Sequence, residues 1–481
     1  MSDLITAPIT RDLGRFAASF THASQAALDV ARTGVIDTIG LMIAARMEPV
    51  VQTVRTVCCK GASEGAASVL FSAQRARAGD AAFINATAAH AFAMDDVAWG
   101  CHPSAMLFPT LLASAEERGA NGAAVLRAWV VGYEVLAELA ARERDSLHTT
   151  GWHPSAMLGP IAAAAAVCNL RGLDADQCYR ALGLAASMGG GLSVNFGTQA
   201  KAVQVGRVAQ SALLAADLAE QGVTASIDAL ERPGTGFLST ISPAKRVDTT
   251  TPVALSDGGL RLLNTGLGIK KYPLCYSVHR ITDAAIDLSR QPGVRSEDVV
   301  RIEVDIGRRQ AAMARHVQPH TALEAKYSVP FAVASGLLAS AAGFAQLEPA
   351  FLASDSVRRL IAVTQVCLHD DVSVDDPVFS HADRVRLTLA DGSVRDSGPV
   401  RYARGHARLP LDAEQLRGKF VDCVLSAGVL GASVLYEQLQ DFASLAFVAD
   451  ITRLVQAQEE PATAEAAPCQ DSSALLGPVH S

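Results

Sequence analysis

Aromatic side chains are scarce in this chain. Phe, Trp and Tyr together make up 5% of 481 residues. A core for that length must be filled mainly by Ala, Val, Leu and Ile, which suits helices packed on helices. Charge is also thin, at 19%. The formal net charge is -8 and no basic run dominates, so nucleic acid is not an expected partner. A few Lys and His residues in a cleft can still hold an anion against an acidic surface. The nine cysteines are an odd number and contain no Cys-x-x-Cys pair. A disulfide framework or structural zinc site is therefore not expected, and reduced thiols fit a cytoplasmic protein. Met1–Arg15 carries acids and has no long apolar run, so it does not read as a signal peptide. The apolar run Ile161–Cys168 is too short to cross a bilayer, and no membrane partner is expected.

Several enzyme signatures are missing too. Gly191-Leu192-Ser193 lacks the second glycine of a nucleophile elbow, because Asn195 stands there. Gly234-x-Gly236 runs on to Thr240 and Ile241 without the glycine a dinucleotide fingerprint needs. Asp95, Asp96 and His102 are possible ligands for a divalent ion, but no closed ligand set joins them. No metal or organic cofactor is expected, and activity should survive chelation.

What is present reads mostly as helix. Residues 10–46 make two helices, with Thr21 or Ser24 as a cap for the second. Ser68–Phe71 reads as a short extended piece, and Ala78–Phe92 as a helix that breaks at Met94–Cys101. His102 precedes Pro103, and His153 precedes Pro154. Each proline can open a helix, the first ending near Gly119 and the second spanning 156–170. Both histidines thus sit at helix N-termini, where backbone N–H groups favour an anion. Further helices are read at 175–190 and 203–221, and loop 192–200 leads to Lys201 at the junction with the second. From about 275 the texture changes. Val299–Ile306 alternates as a strand, 322–342 reads as one helix, and 384–395 reads as a hairpin turning at Ala390-Asp391-Gly392.

The expected fold is mainly α with an α+β second domain. Residues 1–272 and 405–455 would form the helical domain, 273–404 an inserted α/β lid, and 456–481 a disordered tail rich in Glu, Pro, Ala and Ser.

Chemistry gathers in four places: Asp95-Asp96 with His102-Pro103-Ser104, Gly151-Trp152-His153-Pro154, Lys201, and Ile269-Lys270-Lys271-Tyr272-Pro273 with Cys275. Removing a proton beside a carboxylate builds negative charge on its oxygens. Lysine or protonated histidine can hold that charge, and histidine titrates near neutrality. Asp95 or Asp96 would orient one histidine and raise its pKa. The bland alternatives are that the aspartates cap or face solvent, that the histidines only cap helices, and that the lysines lie on the surface.

These clusters, in this order and spacing, resemble the MmgE/PrpD family. The matching stretches run from His90-Ala91-Phe92-Ala93-Met94-Asp95-Asp96 through Thr198–Lys201 and Ile269–Pro273, with Cys275 and His279. Leu323–Pro330 and the turn at Asp391-Gly392 complete the set. The resemblance implies a helical domain built from both chain ends, an inserted lid, a homodimer, no cofactor and an active site between domains. It implies a site of Asp95, Asp96, His102 and His153 for catalysis, with Lys201 and Lys270 binding a small polycarboxylate. Lys270 is preferred to Lys271 because it lies three residues before Pro273. The implied reaction is dehydration of a 2-methylcitrate-like acid. Epimerisation of an iminodisuccinate-like acid, decarboxylation of a cis-aconitate-like acid, and polycarboxylate binding without catalysis are the alternatives. Ala93, Val97 and Met313 stand where the decarboxylase has Asp, Thr and Tyr, Ala105-Met106 where the dehydratase tends to have Asp-Asn, and Gln204 where the family often has His.

Overall fold

Local chemistry at Ser24 shows how the long helices start. The residue is extended, and its hydroxyl accepts from the Ala27 N–H at 3.4 Å, satisfying one of the amides that a first turn leaves open. The computed structural model describes residues 6–60, 65–255, 259–373 and 379–457. The expected tail therefore lies outside the described residues, apart from its first two. The order is α1 (Ile9–Ser19), α2 (Gln25–Ala44), α3 (Pro49–Cys59), β1 (Ala67–Ser68), β2 (Arg75–Ala76) and α4 (Ala78–Ala91). It continues with α5 (Pro103–Arg118), α6 (Gly122–Arg142), α7 (Pro154–Arg171), α8 (Ala175–Ala186) and α9 (Ala200–Glu220). The molecule is mainly α, with a small α+β part. None of the helices among the described residues is long and apolar enough to cross a membrane.

Small side chains let the helices approach closely. Segments 102–109 and 153–160 have the same sequence except at Phe108 and Gly159. Gly159 is where α7 meets α5: a Cβ there would lie 2.4 Å from Met106 Sδ. Likewise a Cβ on Gly206 of α9 would lie 2.3 Å from the Phe83 ring and from Thr87 Oγ1 of α4. These two close approaches seat α5, α7, α4 and α9 side by side, and each carries a residue of the site described below.

Apolar side chains sort into two main cores. One draws on residues 7–269 and again on Leu411–Val455. The other draws on Tyr272–Leu389 and contains a sheet of order β4-β3-β5-β6, in which β3 is Val299–Gly307, β4 Thr364–His369, β5 Arg384–Leu389 and β6 Val394–Asp396. β5 and β6 form the expected hairpin, with Gly392 at φ 82 in its turn. β4 runs parallel to β3. Its exposure pattern is irregular, which is why alternation does not reveal it.

Two expectations need correction. The segment 322–342 is two helices, Ala322–Ala325 and Val329–Ala339. Pro330 has no N–H to continue the first helix, and Ser328 caps the second by accepting from the Phe331 N–H at 3.3 Å. Lys326 and Tyr327 fall in the break. The helix read from 203 starts at Ala200, so Lys201 lies in the first turn of α9.

Candidate active site

The loop after α4 is held in an uncommon conformation. Ala93 (φ 55) and Trp99 (φ 56) are left-handed, a region that non-glycine residues enter at a cost. Lysines tie down its carbonyls. Lys270 Nζ donates to Ala93 O at 2.9 Å, and Lys419 Nζ donates to Met94 O at 2.8 Å. Lys419 is itself paired with the buried Asp37 at 2.7 Å.

Asp95 is the hub. Its Oδ2 lies 2.8 Å from His90 Nδ1 and 3.0 Å from His102 Nδ1, and its Oδ1 lies 3.6 Å from Lys270 Nζ. Burial works against its charge, but His102, His90 and Lys270 hold it well below the usual carboxylate range. Asp96 behaves differently. Its carboxyl accepts from the Ser104 N–H at 3.0 Å, at the start of α5. Burial pushes it up to about 8, so it carries a proton at neutral pH. Among the described residues, Asp96 meets a histidine through its backbone carbonyl, 2.9 Å from His102 Nδ1.

His102 and His153 occupy the N-cap positions of α5 and α7, and neither side chain bonds to its own helix. Capping therefore does not account for them. His102 Nδ1 faces Asp96 O and Asp95, which fixes a proton on that nitrogen. His153 Nδ1 lies 2.7 Å from Gln204 Oε1, while Gln204 Nε2 donates to Leu192 O at 3.1 Å. The amide is thereby oriented, and His153 Nδ1 must donate. His153 Nε2 is left buried with no hydrogen-bond partner among the described residues. The expected rise in a histidine's pKa beside Asp95 does not occur, because burial outweighs the carboxylate. His90 falls to about 3, His102 to about 4 and His153 well below its ordinary value. Both N-cap histidines are thus neutral, with Nε2 available as a base.

His90 belongs to the motif that carries the family resemblance, yet it has no role in the site expected from sequence. It sits in the last turn of α4 and joins Asp95 through Nδ1 to Lys201 through Nε2, at 2.5 Å. Its five-residue spacing from Asp95 is a signal in the sequence, but only the packing of α4 on α9 brings Lys201 to it. Burial first, then Lys270, lowers Lys201 to about 7, with Asp95 opposing.

A cavity of 640 Å³ opens onto this cluster. His102, His153, Lys201 and Lys270 lie on its wall, with Cys275 and Tyr327. His90, Asp95 and Asp96 are behind the wall, so the six expected site residues divide into four that face the cavity and two that support it. Ala93, Val97 and Met313 also line it. Ring nitrogens of His90, His102 and His153 come within 4.8 Å of one another, as a metal site would require. Both nitrogens of His90 are engaged, however, so an ion would have to displace Lys201.

Comparison with known proteins adds a lineage. Residues 11–250 match the family model for the MmgE/PrpD N-terminal domain, and residues 272–433 match that for the MmgE/PrpD C-terminal domain. A human cis-aconitate decarboxylase is 28% identical over 358 residues, covering 71% of each chain. A cis-aconitate decarboxylase-like protein, oryM, of Aspergillus oryzae is 27% identical over 413 residues, covering 82% of this chain and 84% of that protein.

Proposed function

The chain belongs to the MmgE/PrpD family, and from that premise we propose that it dehydrates a 2-methylcitrate-like hydroxy-polycarboxylate without a cofactor. The observation that carries the choice is where the departures fall. Ala93, Val97 and Met313, which replace the Asp, Thr and Tyr of the decarboxylase pattern, all line the cavity. Taking polar partners out of a buried site changes which substrate is turned over by orders of magnitude.

In this reading Lys201 and Lys270 hold the substrate carboxylates. His153 Nε2 takes the proton from the carbon beside one of them, and the electron pair spreads onto that carboxylate against the two ammonium groups. The C–O bond at the adjacent carbon then breaks. The proton held by His153 leaves with the hydroxyl as water, and the ring returns to neutral. His102, close to His153 on the same part of the wall, is a second group able to exchange a proton with the substrate. Its ring centroid lies 6.3 Å from that of His153. Asp95 supports positive charge on either His102 or His90.

Decarboxylation is the second reading, favoured by the names of the relatives. Epimerisation shares the first step. Incubation in deuterated water with citrate-like and aspartate-like acids, followed by NMR, separates them. The proposal expects exchange at the carbon beside a carboxylate together with an alkene product. Loss of carbon dioxide would replace it by decarboxylation, and exchange without net product by epimerisation. A polycarboxylate that binds without any exchange would leave only a binding protein.

A further inference from the structure

The cavity is larger than a six-carbon acid requires. Its 640 Å³ falls in the range of about 300–1,000 Å³ that accommodates much bigger ligands. The basic groups of the site are gathered around Asp95 and His90, at one part of the wall. Another part is apolar. Leu139 of α6, Leu147, Leu158 of α7, Leu238, Ile241 and Val247 all face the cavity. Leu158 follows His153 by five residues on α7, and both line the cavity. The surface is also held in place: Arg142 donates to Asp248 O at 3.2 Å and Thr251 O at 2.9 Å, closing the 237–251 segment onto the end of α6. Charged groups share the stretch between Leu139 and Leu147: Glu143, whose Oε1 accepts from the Asp145 N–H at 2.9 Å, Asp145, to which Arg246 Nε donates at 3.0 Å, and the exposed Arg144.

We infer that this wall is a subsite for an alkyl substituent several carbons long, carried by the polycarboxylate whose charged end meets Lys201 and Lys270. The inference rests on the proposed function for the charged end. It adds that the natural substrate has an apolar arm. Water in such a pocket has few polar partners, and displacing it with methylenes favours binding. The carboxylates would orient the substrate, and the chain would supply selectivity among acids of different length.

The test is calorimetric titration of the full-length protein with citrate, 2-methylcitrate, 2-butylcitrate and 2-hexylcitrate. Affinity should rise by about fourfold for each methylene added until the subsite is filled. Leu238→Phe and Ile241→Phe each fill part of the subsite without adding charge. Each should cut the ratio of hexyl to unsubstituted affinity by about tenfold, and a melting curve for each variant shows that it is folded. Citrate binding with no gain from butyl or hexyl would overturn the subsite and leave the proposed reaction standing. A gain with chain length that both folded Phe variants retain would also overturn it, since the chain would then lie elsewhere. If none of the four acids binds, the polycarboxylate reading itself fails, and this inference fails with it.

Discussion

His153 is defined by one atom. Nδ1 is engaged by Gln204, and Nε2 is buried and unpartnered among the described residues, on a ring that lines the cavity. His153→Gln keeps approximate size and hydrogen bonding but removes the base. Turnover should fall by about two to four orders of magnitude with little change in melting temperature. Near-normal turnover would take His153 out of the mechanism, and a much lower melting temperature would mean that its role is structural. Lys201 gives a pH prediction. With its pKa lowered to about 7, its charge is present below that pH and lost as pH rises through it. kcat/KM for a polycarboxylate should therefore fall by about tenfold per pH unit above 7. Lys201→Arg keeps its charge over this range and should remove that limb, leaving only any effect of Asp96 near 8. An unchanged profile in the arginine variant would assign the limb to another group.

At the scale of elements, the site depends on how closely α4 and α9 pack. His90 is on α4 and Lys201 on α9, and Gly206 allows the two helices to meet. Gly206→Val forces side-chain atoms into Phe83 and Thr87. It should cost about 1–3 kcal/mol of stability and lower kcat by drawing His90 and Lys201 apart. Gly418→Ala is the control. A Cβ there meets nothing within 4 Å, and the residue lies inside the helix Ala413–Ser426, so the change should be neutral or slightly stabilising. Equal effects from the two substitutions, measured by melting and turnover, would show that close helix packing at Gly206 is unimportant. The sequence signalled these helices through their prolines, caps and alanine runs. It did not signal β4, whose pattern is irregular, or the break at Lys326-Tyr327, which reads as continuous helix if Pro330 is passed over.

Across the whole molecule, the cavity takes its wall from the chain segments that carry both cores. Leu158 and Leu238 belong to one, and Cys275, Tyr327 and Phe379 come from the stretch of chain that carries the other. A ligand that touches both should stabilise them together. At a concentration of 100 Kd, a bound polycarboxylate should add about 2.7 kcal/mol to unfolding. All three tryptophans, Trp99, Trp129 and Trp152, lie in the helical part, so their fluorescence follows that core. Hydrogen exchange across 270–277 reports the other side. The expected result is a later tryptophan transition together with slower exchange at 270–277, both weakened by Lys270→Met. Protection on only one side would show that the ligand does not bridge the cores.

The sequence by itself determined the types of element, the two His-Pro helix starts and the set of titrating residues, because propensity, capping and proline geometry act over a few neighbouring positions. It also carried the family likeness, through ordered motifs spread along most of the chain. Only the tertiary structure decided what those residues do. Asp95 and Asp96 are adjacent in sequence, yet one is a charged hub for two histidines and the other a protonated group at a helix start. Lys201 stands 111 positions from His90 and bonds to it. Partners and burial set a side chain's charge and direction, and both arise from the packing of distant segments.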